Sequence, residues 1–399
     1  MEGDEFTKSS HSGSVSCFAR HSPLSLATAF REESDHSATR FSPEDRAYTM
    51  SLMISEVSQQ PTVLAGVRKY YASLGAIPIK SIRKLVNHWP PTVVFTGMGS
   101  SLFAAYPAQA FLTSAGIRAI VWETAELLHY HMKILGPDTL LVAVSQSGET
   151  VEITNLLAEL PAKAGLIAVS NVEASTLARR GSLLLPLMAG RQETVSTKTY
   201  MCAVSVLMYL AFALARKSER PLASALSLAI EAQEEILERR DVLIPPLVEF
   251  FDHPTYAALM ARGADQASAH QGALMLKEVP RVGAEAISAA QFRHGPMEII
   301  HPAHRYIIFA RRVQRRKTGE LLLKLAKDIH THGGRVILLT DMSFPDLPNA
   351  QIVLVRSLPL GLGTLIDTLY LQLLAHELAL RAGLEPGKFW ITSNVTRTE

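Results

Sequence analysis

Three hydroxyl side chains and a glycine, in the run Ser145-Gln146-Ser147-Gly148-Glu149-Thr150, stand where an apolar segment (139–144) gives way to a helical pattern beginning at Val151. Such a helix start offers backbone N–H groups without intrahelical partners and the positive end of the helix dipole. Ser145, Ser147 and Thr150 add short donors, and Gly148 lets the backbone approach an anion closely. The guest with matching chemistry is a phosphate monoester. An ordinary serine-rich N-cap is the alternative, because Ser and Thr are favoured at helix starts.

A related turn lies one strand earlier. Thr92–Thr96 runs into Gly97-Met98-Gly99-Ser100-Ser101, and a helix is predicted over 102–114. In one parallel sheet both turns fall on the same carboxyl edge, where open α/β sheets bind ligands.

The elements that must position these turns follow from periodicity. Apolar strand candidates at 93–96, 117–122, 139–144, 165–170 and 183–187 alternate with helices, as βαβ units require. A helical connector covers 219–250. A second alternating block has strands at 256–260, 305–309, 335–339 and 351–355 and a long helix over 364–382. Residues 56–85 read as helices covering the first sheet. Residues 1–49, rich in Ser and His and without periodicity, read as a disordered tail. Translation is expected to start at Met50 or Met53, which intact mass of the native protein tests.

Further landmarks are Val195-Ser196-Thr197-Lys198, Leu276-Lys277-Glu278, Phe292-Arg293-His294-Gly295-Pro296 and Asn394-Val395-Thr396. In order and spacing these motifs, together with Gly99-Ser100-Ser101 and 145–150, resemble the sugar isomerase (SIS) family. The likeness runs from about Met53 to Glu399. It is nearest to the isomerase half of glucosamine-6-phosphate synthase and to stand-alone amino-sugar-phosphate deaminases and isomerases. The resemblance implies an α/β chain of two tandem SIS domains, each a mainly parallel sheet with helices on both faces. The expected boundaries are 50–220 with N-terminal helices, 221–250 for the connector, and 251–399 with a C-terminal tail.

The resemblance also implies roles. Glu278 corresponds to the glutamate that moves a proton between adjacent carbons through an enediol, and His294 to the histidine that opens the sugar ring. That histidine reaches in from the neighbouring subunit, so a homodimer with a shared active site is expected. Ser145, Gln146, Ser147 and Thr150 would surround the phosphate, and Ser100, Ser101 and Ser196 would bind sugar or phosphate oxygens. The structural alternatives are a solvated helix-face glutamate and a histidine fixed by a Gly-Pro turn.

Three residues depart from the synthase pattern. Asn394 stands where the synthase has an imine-forming lysine, and asparagine cannot form a Schiff base. Gln271 and Met275 replace an acid and a lysine, and they share one helix face with Glu278 at i, i+4 and i+7. The two losses look coupled, since removing one partner of a close charge pair strands the other. If that lysine lies near the carboxylate, its loss raises the pKa of Glu278. A fourth departure is that the segment before residue 50 is too short for the synthase glutaminase domain, so free ammonia release or uptake is expected.

Bulk properties narrow the classes. The chain has 399 residues, is 48% hydrophobic and carries a net charge of +2, so neither nucleic acid nor membrane is an expected partner. Two distant cysteines, Cys17 and Cys202, fit a reducing, cytoplasmic setting. The apolar run 200–215 is too short for a membrane span and reads as a central buried helix. The pairs His129/His131, His301/His304 and His330/His332 lack completing ligands, so no metal or cofactor is expected. The basic run 311–317 reads as a solvated loop, with a second anion site as its alternative.

The expected function is a phosphosugar isomerase or deaminase acting on an amino-hexose 6-phosphate and a ketohexose 6-phosphate. Rival readings are a non-catalytic phosphosugar sensor and the isomerase subunit of a split aminotransferase.

Overall fold

Apolar runs of five to seven residues bounded by Gly, Ser and Thr dictate strands buried on both faces. In the computed structural model, such runs supply the central strands, and ten strands of four to seven residues form two sheets. The structure describes residues 51–73, 76–312, 316–344, 347–348, 350–391, 393 and 395–396. The expected N-terminal tail, Met50 and Asn394 lie outside the described residues.

The first sheet contains β1 (Thr92–Gly97), β2 (Ala119–Glu123), β3 (Thr139–Ser145), β4 (Gly165–Ser170) and β5 (Leu183–Pro186), in the order β2-β1-β3-β4-β5. The second contains β6 (Tyr256–Ala261), β7 (Ala284–Ser288), β8 (His304–Ala310), β9 (Arg335–Thr340) and β10 (Ala350–Leu354), in the order β7-β6-β8-β9-β10. Every pairing is parallel. Counting from the first strand of each half, the two orders are identical. The chain is therefore two copies of one architecture.

The described residues, all beyond position 50, form one compact unit. Alternate residues of the central strands enter different cores, as the two-residue period of a strand requires. Val94, Leu141 and Ala168 face an outer cluster of the first sheet, and Met260, Ile308 and Leu338 an outer cluster of the second. Phe95, Val142 and Val169 share a third cluster with Leu259, Phe309 and Leu339, so one continuous core joins the inner faces of both sheets. The helices Lys198–Leu214 and Thr364–Arg381 fill it. The first is buried along almost its whole length, including Cys202, which explains an apolar run without amphipathic period. No helix among the described residues is long and apolar enough to cross a membrane.

The structure also departs from the sequence reading. The chain is helical from Leu52, and the helix expected over 102–114 is split into Ser100–Phe103 and Tyr106–Ser114, with Pro107 in the first turn of the second piece. Such a proline suits a helix start but not an interior. Strand β7 had no sequence signal. It is a short edge strand, mostly half-exposed.

Candidate active site

Both sheets change direction of strand order next to their first strand, and in the first sheet this switch point lies between the carboxyl ends of β1 and β3. A cleft of about 310 Å³ opens there. The two glycine and serine turns bound it with Ser100, Ser101, Ser145, Gln146, Ser147 and Thr150. Ser196 closes it from the loop after β5, and Glu278 from the end of the Gln266–Glu278 helix. Residues from four separate stretches of chain thus meet in one place.

The turn after β3 is built by its own side chains. Ser145 Oγ accepts the Gly148 N–H at 3.0 Å, and Ser147 Oγ accepts the Glu149 N–H at 3.2 Å. The Glu149 carboxylate accepts the Thr176 N–H at 2.6 Å, and this hydrogen bond holds its pKa below the usual carboxylate range. Thr150 is the N-cap of the Val151–Glu159 helix, yet its side chain caps nothing. Its Oγ1 is buried without a hydrogen-bond partner. One of the free helix N–H groups is already used, since Val151 N donates to the Thr396 carbonyl at 3.1 Å.

Glu278 presents a second orphan. Its Oε2 is buried without a partner, and burial pushes its pKa up to about 7, opposed by the ammonium of Lys277. Met275, one turn earlier, is fully buried in the core and brings no charge. Gln271 is also buried, and its Nε2 donates to the Ser196 carbonyl at 3.4 Å. A carboxylate with a raised pKa and a free oxygen in a cleft fits a proton-transfer group.

His294 is not part of this cleft. It is exposed, between the Ala289–Phe292 helical turn and the Pro296–Ile299 turn, with its N–H donated to the Gln291 carbonyl at 2.9 Å. Sequence reasoning missed Gln192, Thr194, Thr199, Leu274, Phe389, Ser393 and Thr396, all of which line the cleft. Leu274 had a usable signal, one helical turn before Glu278 on the same face. The others lie in loops or begin a buried helix and have no periodicity to read.

The matching switch point of the second sheet is filled by side chains of the protein itself. Arg311, expected in a solvated loop, is buried directly after β8 and pairs with the buried Asp367. Asp367 also accepts a hydrogen bond from Ser268 Oγ at 2.8 Å. Asp265, after β6, is buried beside them, and desolvation pushes its pKa up to about 7 against the pull of Arg311. Only the exposed Arg312 and Lys317 fit the solvated reading, and 313–315 lie outside the described residues. Among the described residues no group of His, Cys, Asp and Glu is arranged to hold a metal ion.

The profile of the SIS domain family matches residues 87–215 and 254–382, one copy on each sheet. The chain belongs to the SIS domain family. Glutamine–fructose-6-phosphate aminotransferase (isomerizing) of Bartonella henselae is 26% identical over 349 residues, covering 84% of this chain and 56% of that protein. The SIS chain thus spans little more than half the length of this curated relative. Among solved structures, the C-terminal domain of glucosamine-fructose-6-phosphate aminotransferase from Francisella tularensis superposes with a TM-score of 0.77 at 20% identity, covering 85% of this chain and 98% of that one. Glucosamine-6-phosphate deaminase from Thermotoga maritima gives 0.66 at 19% identity, covering 87% of this chain and all of that one. At these identities the structural matches establish the shared fold.

Proposed function

We propose that this SIS protein is a phosphosugar isomerase that interconverts an amino-hexose 6-phosphate and a ketohexose 6-phosphate with exchange of ammonia. The observation that carries the reading is the pair of orphaned buried atoms in one cleft: Thr150 Oγ1 in the hydroxyl-rich turn and Glu278 Oε2 across from it. Buried polar atoms are normally satisfied, so two without partners mark where a ligand supplies the missing bonds.

The phosphate sits against the Ser145–Thr150 turn and the start of the following helix, held by hydroxyls and backbone N–H groups. Ser100, Ser101 and Ser196 then face the sugar oxygens. Glu278 takes the proton from C2 of the open-chain amino sugar and returns it to C1, while a proton passes from the amine to O1, converting the aldehyde and amine into an alcohol and an imine. Water adds to the imine at C2, and ammonia leaves. With a pKa near 7, Glu278 is both ionised and basic at neutral pH, which suits a group that must take and return the same proton. His294, exposed outside the cleft of its own chain, would serve the cleft of a second copy and open the ring there.

The deciding assay is ammonia release from glucosamine 6-phosphate by the wild type and by Glu278→Gln. Release that vanishes in the variant supports the reading, whereas equal rates in both proteins exclude Glu278 as the base. A second reading is favoured by the aminotransferase relatives: the isomerase part of a glutamine-dependent aminotransferase. It requires glutamine-dependent glucosamine 6-phosphate formation when a glutaminase is supplied, and none from free ammonia.

A further inference from the structure

The segment between β5 and the Lys198–Leu214 helix brings Gln192, Thr194 and Ser196 to the cleft without forming a strand or helix of its own. Its backbone N–H groups must therefore find partners elsewhere. They find them on Glu56, in the Leu52–Ser58 helix, which is 6% exposed. Glu56 Oε1 accepts the Glu193 N–H at 2.6 Å. Its Oε2 accepts the Thr194 hydroxyl, the Thr194 N–H at 3.4 Å and Gln192 Nε2 at 3.3 Å.

Gln192 passes the constraint along the loop. The two hydrogens of its Nε2 are shared among Glu56, the Val195 carbonyl at 2.5 Å and Thr197 Oγ1 at 2.8 Å, while its Oε1 accepts the Thr199 N–H at 3.1 Å. The C-terminal segment that carries Phe389 and Ser393 rests on the same spot. At Gly387, with φ +77°, a Cβ would lie 2.9 Å from Thr194 Cβ and 3.1 Å from Met53 Cβ. By contrast, the turn at 145–150 closes on its own hydroxyls.

We propose that Glu56 is a positioning residue for the wall of the cleft that faces the sugar, holding Gln192, Thr194 and Ser196 in register through one buried carboxylate. The identity of the ligand rests on the phosphosugar reading above; the ordering of the loop does not. A carboxylate suits the task because it only accepts, and its two oxygens can take about four hydrogen bonds. Glutamine at this place would turn an NH₂ group toward N–H donors.

Two measurements on full-length wild type, Glu56→Gln and Glu56→Asp test this. In ligand-free hydrogen–deuterium exchange, Glu56→Gln is expected to speed exchange at Glu193, Thr194 and Thr199 by about tenfold or more, with Gly148 within about twofold of wild type. Unchanged protection at 193–199, or equal loss at Gly148, overturns the proposal. In binding, Glu56→Gln should weaken fructose 6-phosphate about 10- to 100-fold and inorganic phosphate less than about threefold, with Glu56→Asp between. Equal weakening of both probes overturns it as well. A wild type that binds no fructose 6-phosphate would instead count against the phosphosugar reading, and the exchange data alone would then judge Glu56.

Discussion

Gly148 packs so closely on Ser175 that a Cβ at position 148 would lie 2.2 Å from the Ser175 hydroxyl oxygen. Gly148 also adopts φ +68°, which L side chains rarely take. Gly148→Ala therefore suffers twice, from strain and from contact, and is expected to lose about 2–4 kcal/mol of stability by denaturant unfolding. Pairing it with Ser175→Ala should recover only the part due to contact.

Thr150→Val separates binding from folding. The hydroxyl is buried and unpartnered in the free protein, so replacing it with a methyl group should leave the melting temperature unchanged or raise it. Phosphosugar affinity should nevertheless fall by about tenfold, the worth of one hydrogen bond of about 1–1.5 kcal/mol. Isothermal titration beside thermal melting reads both effects. A fall in stability with unchanged affinity would make Thr150 a structural residue.

The raised pKa of Glu278 has a kinetic and a thermodynamic signature. If Glu278 is the base, kcat/KM should rise with pH through an acidic limb near 7 rather than near the ordinary value of 4.5. Glu278→Gln should lower turnover by about 10²–10⁴-fold. Because the folded pKa exceeds the unfolded one, the stabilising contribution of protonated Glu278 is complete below about 4.5 and is lost as pH rises through about 7. Glu278→Gln should thus be more stable than wild type by about 1–3 kcal/mol at pH 8 and not at pH 4.5. Unfolding midpoints at the two pH values check this.

On the proposed reading, in which His294 serves the cleft of a second copy, complementation is expected. Glu278→Gln and His294→Ala proteins, each inactive alone, should regain about a quarter of wild-type activity when unfolded and reassembled together, because half the dimers are mixed and each mixed dimer has one intact site. No recovery in a mixture that does form mixed dimers would remove His294 from the neighbouring cleft.

What could be read from the sequence was local. Strand β3 and its turn were visible because a fully buried parallel strand is a continuous apolar run and the serines follow it directly. Glu278 was visible through its motif. The burial of Arg311 was not, because its partner Asp367 lies 56 residues away. Nor was the role of Gln192 and Thr194, which depends on Glu56, 136 and 138 residues earlier. Strand β7, short and at a sheet edge, needs little apolar surface and so left no periodic trace.

The doubled architecture has a mechanical consequence. The turn at 145–150 belongs to the first sheet, whereas Glu278 is carried by a helix of the second half, which leans on the first where Leu274 approaches Gly99. On the proposed reading, one half grips the phosphate and the other delivers the base. The buried hydroxyls of Tyr200 and Thr364, 3.0 Å apart, add a polar contact between the two halves inside the core they share. The distance from base to phosphate grip is then set by the packing of that shared core, so a core substitution far from the cleft is expected to disturb proton transfer more than phosphate binding.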